Sequence, residues 1–163
     1  MERPSNMVNL EDITDQEWGE GRCRIRRRDL GRAAGSVDVG LKRIIVYAGC
    51  QSYPEHSHTA EEEIFYILRG RGTLLQNGER IPVEAGDVIC YPSGTGISHS
   101  FLADRDEELE YLAFGERDPN DVTFYPRSGK VLIRALREQA IGPSKSLGLV
   151  GRMEETDYWE DER

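Results

Sequence analysis

The sequence predicts an all-β fold, a sandwich or barrel of short strands. Apolar, β-branched runs recur about every 8–12 residues, and glycine, proline and Asn-Gly pairs separate them. Asn77-Gly78 stands between two such runs, and this pair favours a tight hairpin turn that needs positive φ at both central residues. Such a rhythm is typical of antiparallel sandwiches and barrels.

The predicted strands follow one another from residue 41 to residue 114. They cover residues 41–48, 64–68, 73–76, 79–83, 88–92, 97–102 and 109–114. Beyond Gly115 the pattern weakens, and residues 131–140 suit a strand, a helix or one after the other. We therefore divide the chain into three parts. These are a flexible N-terminal arm over residues 1–20, a β-barrel over residues 21–140, and a C-terminal extension over residues 141–163 that packs on or near the barrel.

Composition narrows the class of protein. The chain has 163 residues, which suits one domain. Its formal net charge of -9 disfavours nucleic acids and anionic membranes as partners. No apolar run approaches the roughly 18 residues that a membrane span needs, and the N-terminus does not resemble a signal peptide. Three scattered cysteines do not form a disulfide framework, so we expect a cytoplasmic protein.

The histidines are the most informative feature of the sequence. The chain has three, and two of them, His56 and His58, are one residue apart. Residues two apart in an extended chain project from the same face. Glu63 has the opposite parity and joins them only if the chain turns over residues 59–62. His99 follows a loop over residues 92–96 and meets the others only if a barrel brings two hairpins together.

Such a cluster would suit a metal ion. Three imidazoles and one carboxylate favour a borderline divalent ion such as manganese, iron, cobalt, nickel or zinc over the oxygen-preferring calcium. A His-x-His pair alone is weak support, because single histidines are usually surface or core residues. The use of all three histidines within an all-β pattern strengthens the metal interpretation. Glu61 and Glu62 are predicted to be solvated turn residues.

The spacing around these residues resembles the first motif of the cupin family. Gly49 is followed after six residues by His56-x-His58, after four more by Glu63, and after a further six by Gly70. The usual spacer after the first glycine is five residues.

A second stretch resembles the second cupin motif. Gly86 is followed after five residues by Pro92-x-Gly94, and after four more by His99. The last spacing is two residues longer than the commonest form, and Ala103 stands where asparagine is frequent. The resemblance covers about residues 41–115 and implies a double-stranded β-helix, the jelly-roll-like cupin barrel.

The resemblance also implies a ligand set and a function. His56, His58, Glu63 and His99 would hold one divalent transition metal, Zn, Mn, Fe or Ni, with open positions for a ligand. The flanks are similar to small bacterial single-domain cupins that are labelled sugar-phosphate isomerases by analogy. We expect a metal-dependent enzyme that acts on a small polar or anionic molecule. Its reaction would be that of an isomerase or epimerase, an oxygenase or a lyase. No catalytic base is assigned.

The alternative function is a non-catalytic cupin that binds a small molecule. A DNA-binding regulator is disfavoured, because no helix-turn-helix pattern precedes the barrel and the net charge is negative. Many cupins exchange terminal strands, which predicts a homodimer.

An arginine-rich run near the N-terminus leaves two interpretations open. Arg22, Arg24 and Arg26 alternate with Cys23 and Ile25, which is the period of a half-buried strand. The arginines would either face solvent on an edge strand, where charge discourages unwanted pairing, or clamp a phosphate or carboxylate of the ligand.

Overall fold

The computed structural model describes residues 3–134 and 148–162, and β-strands dominate this part of the chain. The strands are β1 Gln16–Glu20, β2 Cys23–Asp29, β3 Val39–Val46, β4 Ser57–His58, β5 Glu63–Arg69, β6 Arg71–Gln76, β7 Glu79–Glu84, β8 Val88–Tyr91, β9 His99–Ala103, β10 Leu109–Glu116, β11 Val122–Tyr125, β12 Lys130–Arg134 and β13 Gly148–Arg152. A 3-10 turn, Leu10–Asp12, and one short helix, α1 Leu30–Ala33, accompany them. The prediction of an all-β barrel is confirmed.

The strands form three sheets with antiparallel pairing between neighbours. A six-stranded sheet has the order β1-β2-β3-β10-β5-β8, a three-stranded sheet the order β7-β6-β9, and a four-stranded sheet the order β13-β12-β11-β4. Strand β10 lies between β3 and β5, so a late segment of the chain joins two earlier ones. This long-range pairing closes the barrel around its core.

The hairpin between β6 and β7 has the predicted turn. Asn77 and Gly78 have φ values of 49° and 83°, and Gln76 pairs with Glu79 directly across the turn. A β-branched residue could not adopt this backbone without strain, which is why the Asn-Gly pair marked the hairpin in the sequence.

The core consists of residues that alternate along the strands. On β5, Phe65 and Ile67 are buried, whereas Tyr66 and Leu68 are exposed on the outer face. Three aromatic rings, those of Phe65, Phe101 and Tyr111, pack with centroid distances of 4.8–5.7 Å. The same rings line the cavity described below, so the core and the cavity share this wall.

Both terminal parts of the described chain add strands to sheets. Residues 16–20 pair with β2 along their whole length, so the end of the predicted arm extends the large sheet. Residues 148–152 pair with β12. Of residues 131–140, the first four continue strand β12, and residues 135–140 lie outside the described part. The three-part division of the chain stays a prediction. No helix in the described ranges is long and apolar enough to cross a membrane.

The core position of Ile67 can be tested against its neighbour. Ile67 is fully buried and Leu68 is 39% exposed on the opposite face of β5. We expect Ile67→Ala to lower the free energy of unfolding by about 2–5 kcal/mol, because it removes buried methyl groups and leaves a cavity. Leu68→Ala should change it by about 0.5 kcal/mol or less. Urea denaturation measures both, and equal effects would contradict the assigned faces of β5.

Candidate metal centre

The structure brings the three histidines and Glu63 together at one end of the barrel. His58 lies in β4, Glu63 begins β5 and His99 begins β9. His56 precedes β4 and pairs with His99 through two backbone hydrogen bonds of 3.1 and 2.8 Å. The turn that the sequence required over residues 59–62 is present, so Glu63 enters the cavity despite its parity.

The side-chain distances are those of a compact cluster. His99 Nε2 lies 2.9 Å and His58 Nε2 lies 3.5 Å from Glu63 Oε2. The ring of His56 has its centroid 5.1 Å from that of His58 and 4.8 Å from that of His99. One donor atom each from His56, His58 and Glu63 lie within 4.8 Å of one another and could hold a metal ion.

Hydrogen bonds on the far side of two rings fix their tautomers. His56 Nδ1 donates to Pro54 O at 2.8 Å, and His58 Nδ1 donates to Asp121 Oδ2 at 2.7 Å. Because both partners are acceptors, each Nδ1 carries the proton and each Nε2 is free to donate its lone pair to a cation. The chemistry of this donor set therefore fits a divalent transition metal.

His99 is oriented in a different way. Its Nδ1 is buried and has no hydrogen-bond partner among residues 3–134 and 148–162. The ring of Tyr91 stacks on it at 4.0 Å with planes 12° apart, and the Tyr91 hydroxyl donates to Gln76 Oε1 at 2.9 Å. Stacking thus fixes the plane of His99 and directs its Nε2 towards Glu63. The sequence had left the face of Tyr91 undecided.

The electrostatics of the cluster favour an ionised Glu63 beside a neutral His56. Burial alone would lower the pKa of His58, but the hydrogen bond to Asp121 and the nearby carboxylates raise that pKa. Burial alone would raise the pKa of Glu63, but the hydrogen bond from His99 and the nearby imidazoles lower that pKa to about 2. Burial, with the adjacent His99, lowers the pKa of His56 to about 4. Near neutral pH, Glu63 is therefore ionised and the imidazole of His56 is unprotonated.

Asp121 is a site residue that the sequence analysis missed. Its side chain is fully buried and accepts hydrogen bonds from His58 Nδ1, from the backbone N–H groups of Thr59 and Ala60 at 3.0 Å each, and from the Thr123 hydroxyl at 3.1 Å. Burial alone would raise the pKa of Asp121, but these bonds hold it well below its usual range. Pairing between β4 and β11 brings Asp121 to His58, and no local pattern shows that pairing.

The prediction that Glu61 is solvated is wrong, whereas Glu62 is exposed as expected. The Glu61 side chain is only 7% exposed and accepts a hydrogen bond from Arg134 at 2.9 Å. Burial raises the pKa of Glu61 to about 7, although Arg134 acts in the opposite direction. Glu61 Oε2 lies 3.6 Å from His58 Nδ1, so Glu61 and Asp121 share the outer side of that ring. Arg134, at the end of strand β12, lies against Glu61, whereas Thr59 and Glu62 of the same turn are exposed.

The cavity beside the cluster has a volume of about 460 Å³. Its basic lining residues outnumber its acidic ones, in a chain whose net charge is -9. The basic residues are Arg27, Lys42, Arg117, Lys130 and Arg134, and the acidic residues are Glu61, Glu63 and Glu116. The lining therefore favours an anionic small molecule.

The three alternating arginines near the N-terminus do not reach this cavity. Arg22 and Arg24 are exposed, and Arg26 pairs with Glu108 at 2.6 Å. They thus do not form a clamp on a ligand. Strand β2 is not an edge strand either, because β1 covers one side of it. Arg27, which shares the inward face with Ile25, lines the cavity instead.

Comparison with known proteins identifies a family and relatives. The family model for the cupin domain matches residues 43–115. The chain is 45% identical over 109 residues to an oxalate-binding protein of Thermotoga maritima, an alignment that covers 67% of this chain and 88% of that protein.

Solved structures give the same picture. A protein of Acidithiobacillus ferrooxidans, provisionally named a sugar phosphate isomerase, superposes with a TM-score of 0.74 at 28% identity, over 80% of this chain and 86% of the other. A predicted oxalate decarboxylase of Thermotoga maritima superposes with a TM-score of 0.58 at 30% identity, over 68% of this chain and 97% of the other. With the barrel and both motifs in place, the chain belongs to the cupin family.

Proposed function

We propose that this cupin uses one divalent transition metal to bind, and to act on, a small anionic molecule. The observation that carries the proposal is the convergence of His56, His58 and Glu63, whose donor atoms lie within 4.8 Å of one another in one cavity, with His99 hydrogen-bonded to Glu63 beside them. Three imidazole nitrogens and a carboxylate oxygen suit zinc, manganese, iron or nickel. A bound divalent ion would polarise an oxygen atom of the ligand.

The residues around the cluster prepare it for this role. Asp121 and Pro54 hold two rings with their Nε2 atoms towards the cavity, and Tyr91 holds the third by stacking. Because these contacts exist before any ion binds, little side-chain entropy is lost on binding.

The ligand class follows from the lining charges and from the relatives. Oxalate and sugar phosphates, the molecules in the names of the similar proteins, are both anionic. A cavity rich in arginine and lysine suits either. An isomerase-like enzyme is our first candidate, with oxygenase or lyase chemistry as the alternative. The name of the oxalate-binding relative favours a second candidate, a cupin that binds its ligand without turnover.

Metal content tests the ligand set. We expect purified protein to hold close to one equivalent of a divalent transition metal, measured by inductively coupled plasma mass spectrometry after dialysis. His58→Ala and His99→Ala should lose at least about tenfold in metal affinity, because each removes a direct donor. Glu62→Ala, next to Glu63 but exposed, is the control. Stoichiometric metal in both histidine variants would contradict the assignment.

Asp121 should tune the affinity for metal without touching it. We expect Asp121→Asn to weaken metal binding by about 10–100-fold in competition with a chelator, because an amide holds the His58 tautomer less firmly than a carboxylate. Asp118→Asn makes the same chemical change on a residue that binds Asn120 N instead. Equal metal affinity in the two variants would show that Asp121 has no part in positioning His58.

Assembly and location also stay predictions. We propose a homodimer through exchange of terminal strands, for which strand β1, at the outer edge of the six-stranded sheet, is available. Sedimentation equilibrium should give twice the chain mass of 18.5 kDa. A monomer mass across the concentration range would reject the dimer. A cytoplasmic protein without nucleic-acid or membrane partners is our expectation for its setting.

A further inference from the structure

Within the described residues, three basic side chains of the cavity have no ion pair, and two of these, Lys42 and Arg27, are partly buried, whereas Lys130 is exposed. Among residues 3–134 and 148–162, Lys42 and Arg27 form no ion pair, whereas Arg117 and Arg134 bind carboxylates at 3.1 and 2.9 Å. Lys42 is also half-buried, and burial lowers the pKa of its ammonium. A cation taken out of water without a counter-charge costs stability, so an unpaired, partly buried cation in a cavity is a candidate for ligand binding.

In the register of the large sheet, Lys42 and Glu63 lie on either side of strand β10. On β10, Gly115 pairs with Glu63 of β5 on one side and with Gly40 of β3 on the other. Lys42 is two residues after Gly40 on the same inward face. One strand lies between β3 and β5, so their backbones are about 10 Å apart.

The sheet surface between Glu63 and Lys42 has almost no side chains. Gly40, Gly115 and Ala113 occupy the positions between them. A Cβ atom on Gly115 would lie 3.3 Å from Glu63 Cγ, and one on Gly40 would lie 3.2 Å from Gly115 O. In this glycine strip the Glu63 side chain lies beside Gly115, and the Arg117 guanidinium lies beside Gly40, where a Cβ atom would be 3.5 Å from Arg117 Nε. The strip thus separates Glu63 from Lys42 without a large side chain of its own.

Arg27 extends the basic end of the strip. It is opposite Ile44 on β3, and Ile44 is two residues from Lys42, so both cations project into the same part of the barrel. The Arg27 Cζ atom lies 6.0 Å from the centroid of the Trp18 ring. The Trp18 ring packs on the Tyr53 ring with a centroid distance of 4.8 Å. These rings hold the guanidinium at the wall, where it can bind a carboxylate or phosphate.

We propose that Lys42 and Arg27 form a second anion-binding subsite, which the glycine strip separates from the proposed metal ligands. The ligand therefore carries two anionic groups joined by a spacer. The first group lies at the centre assigned under the proposed function, on which this part of the inference rests. Oxalate, whose two carboxylates are bonded directly to each other, is too short to reach both ends.

Calorimetric titration of metal-loaded protein with succinate and butyrate tests the subsite. These probes have chains of the same length and differ by one carboxylate. Wild type should bind succinate at least about tenfold more tightly than butyrate, a difference of about 1.4 kcal/mol. Lys42→Gln and Arg27→Gln should each remove most of this preference and leave the affinity for butyrate within about twofold. Arg24→Gln, an equal charge change on the exposed face of β2, should alter neither affinity.

Binding of inorganic phosphate to metal-free protein tests the subsite independently of the proposed function. Phosphate should bind the metal-free protein, and binding should weaken in Lys42→Gln and Arg27→Gln but not in His58→Ala. If phosphate behaves in this way while the protein never takes up metal, the proposed function fails and the subsite stands. Full succinate preference in both cation variants would overturn the subsite, and so would equal loss of succinate and butyrate.

Thermal denaturation distinguishes a lysine kept for a ligand from a lysine that stabilises the fold, because replacing the two should shift the melting temperature in opposite directions. Without ligand, Lys42→Gln should raise the melting temperature, because it removes a poorly solvated charge that has no ion-pair partner in the described chain. Under the same conditions Arg24→Gln should leave it nearly unchanged. A fall in the melting temperature for Lys42→Gln would assign the lysine to the support of the fold and overturn its role in the subsite.

Discussion

The site depends on one short piece of backbone pairing. Two hydrogen bonds between residues 56 and 99 tie the segment before β4 to the first residue of β9, across 43 positions of sequence. They bring two imidazoles side by side, and the pairing of β5 with β10 and β8 then brings Glu63 to the same point. Backbone groups make these bonds, whereas the orientation of the rings depends on side chains, that of His58 on Asp121 and that of His99 on Tyr91.

The features of the fold and of the site that depend on local contacts could be predicted from the sequence. The hairpin at Asn77-Gly78 and the alternation along β5 are local, and both were predictable. Arg27 could also have been placed, since it shares its parity with Cys23 and Ile25, which are buried.

Other parts of the site depend on long-range pairing that no local pattern shows. Asp121 reaches His58 only because β11 pairs with β4, and Glu61 is buried only because Arg134 of β12 lies against it. Both strands follow the region of family resemblance. The four proposed ligands lie within the matched residues 43–115, whereas Arg27, Lys42 and Asp121 lie outside. The proposed metal ligands and the proposed anion-binding subsite thus lie on different strands.

The glycine strip has a consequence for how this barrel could diverge. Gly40 and Gly115 do not have positive φ values, so the backbone itself permits other residues there. A methyl group at Gly40 would lie 3.2 Å from Gly115 O, and one at Gly115 would lie 3.3 Å from Glu63 Cγ, so either would push against the wall between the two ends of the cavity. Substitution at these two glycines would therefore change the length of the ligand that the cavity accepts. The donor atoms of the proposed metal ligands would stay the same.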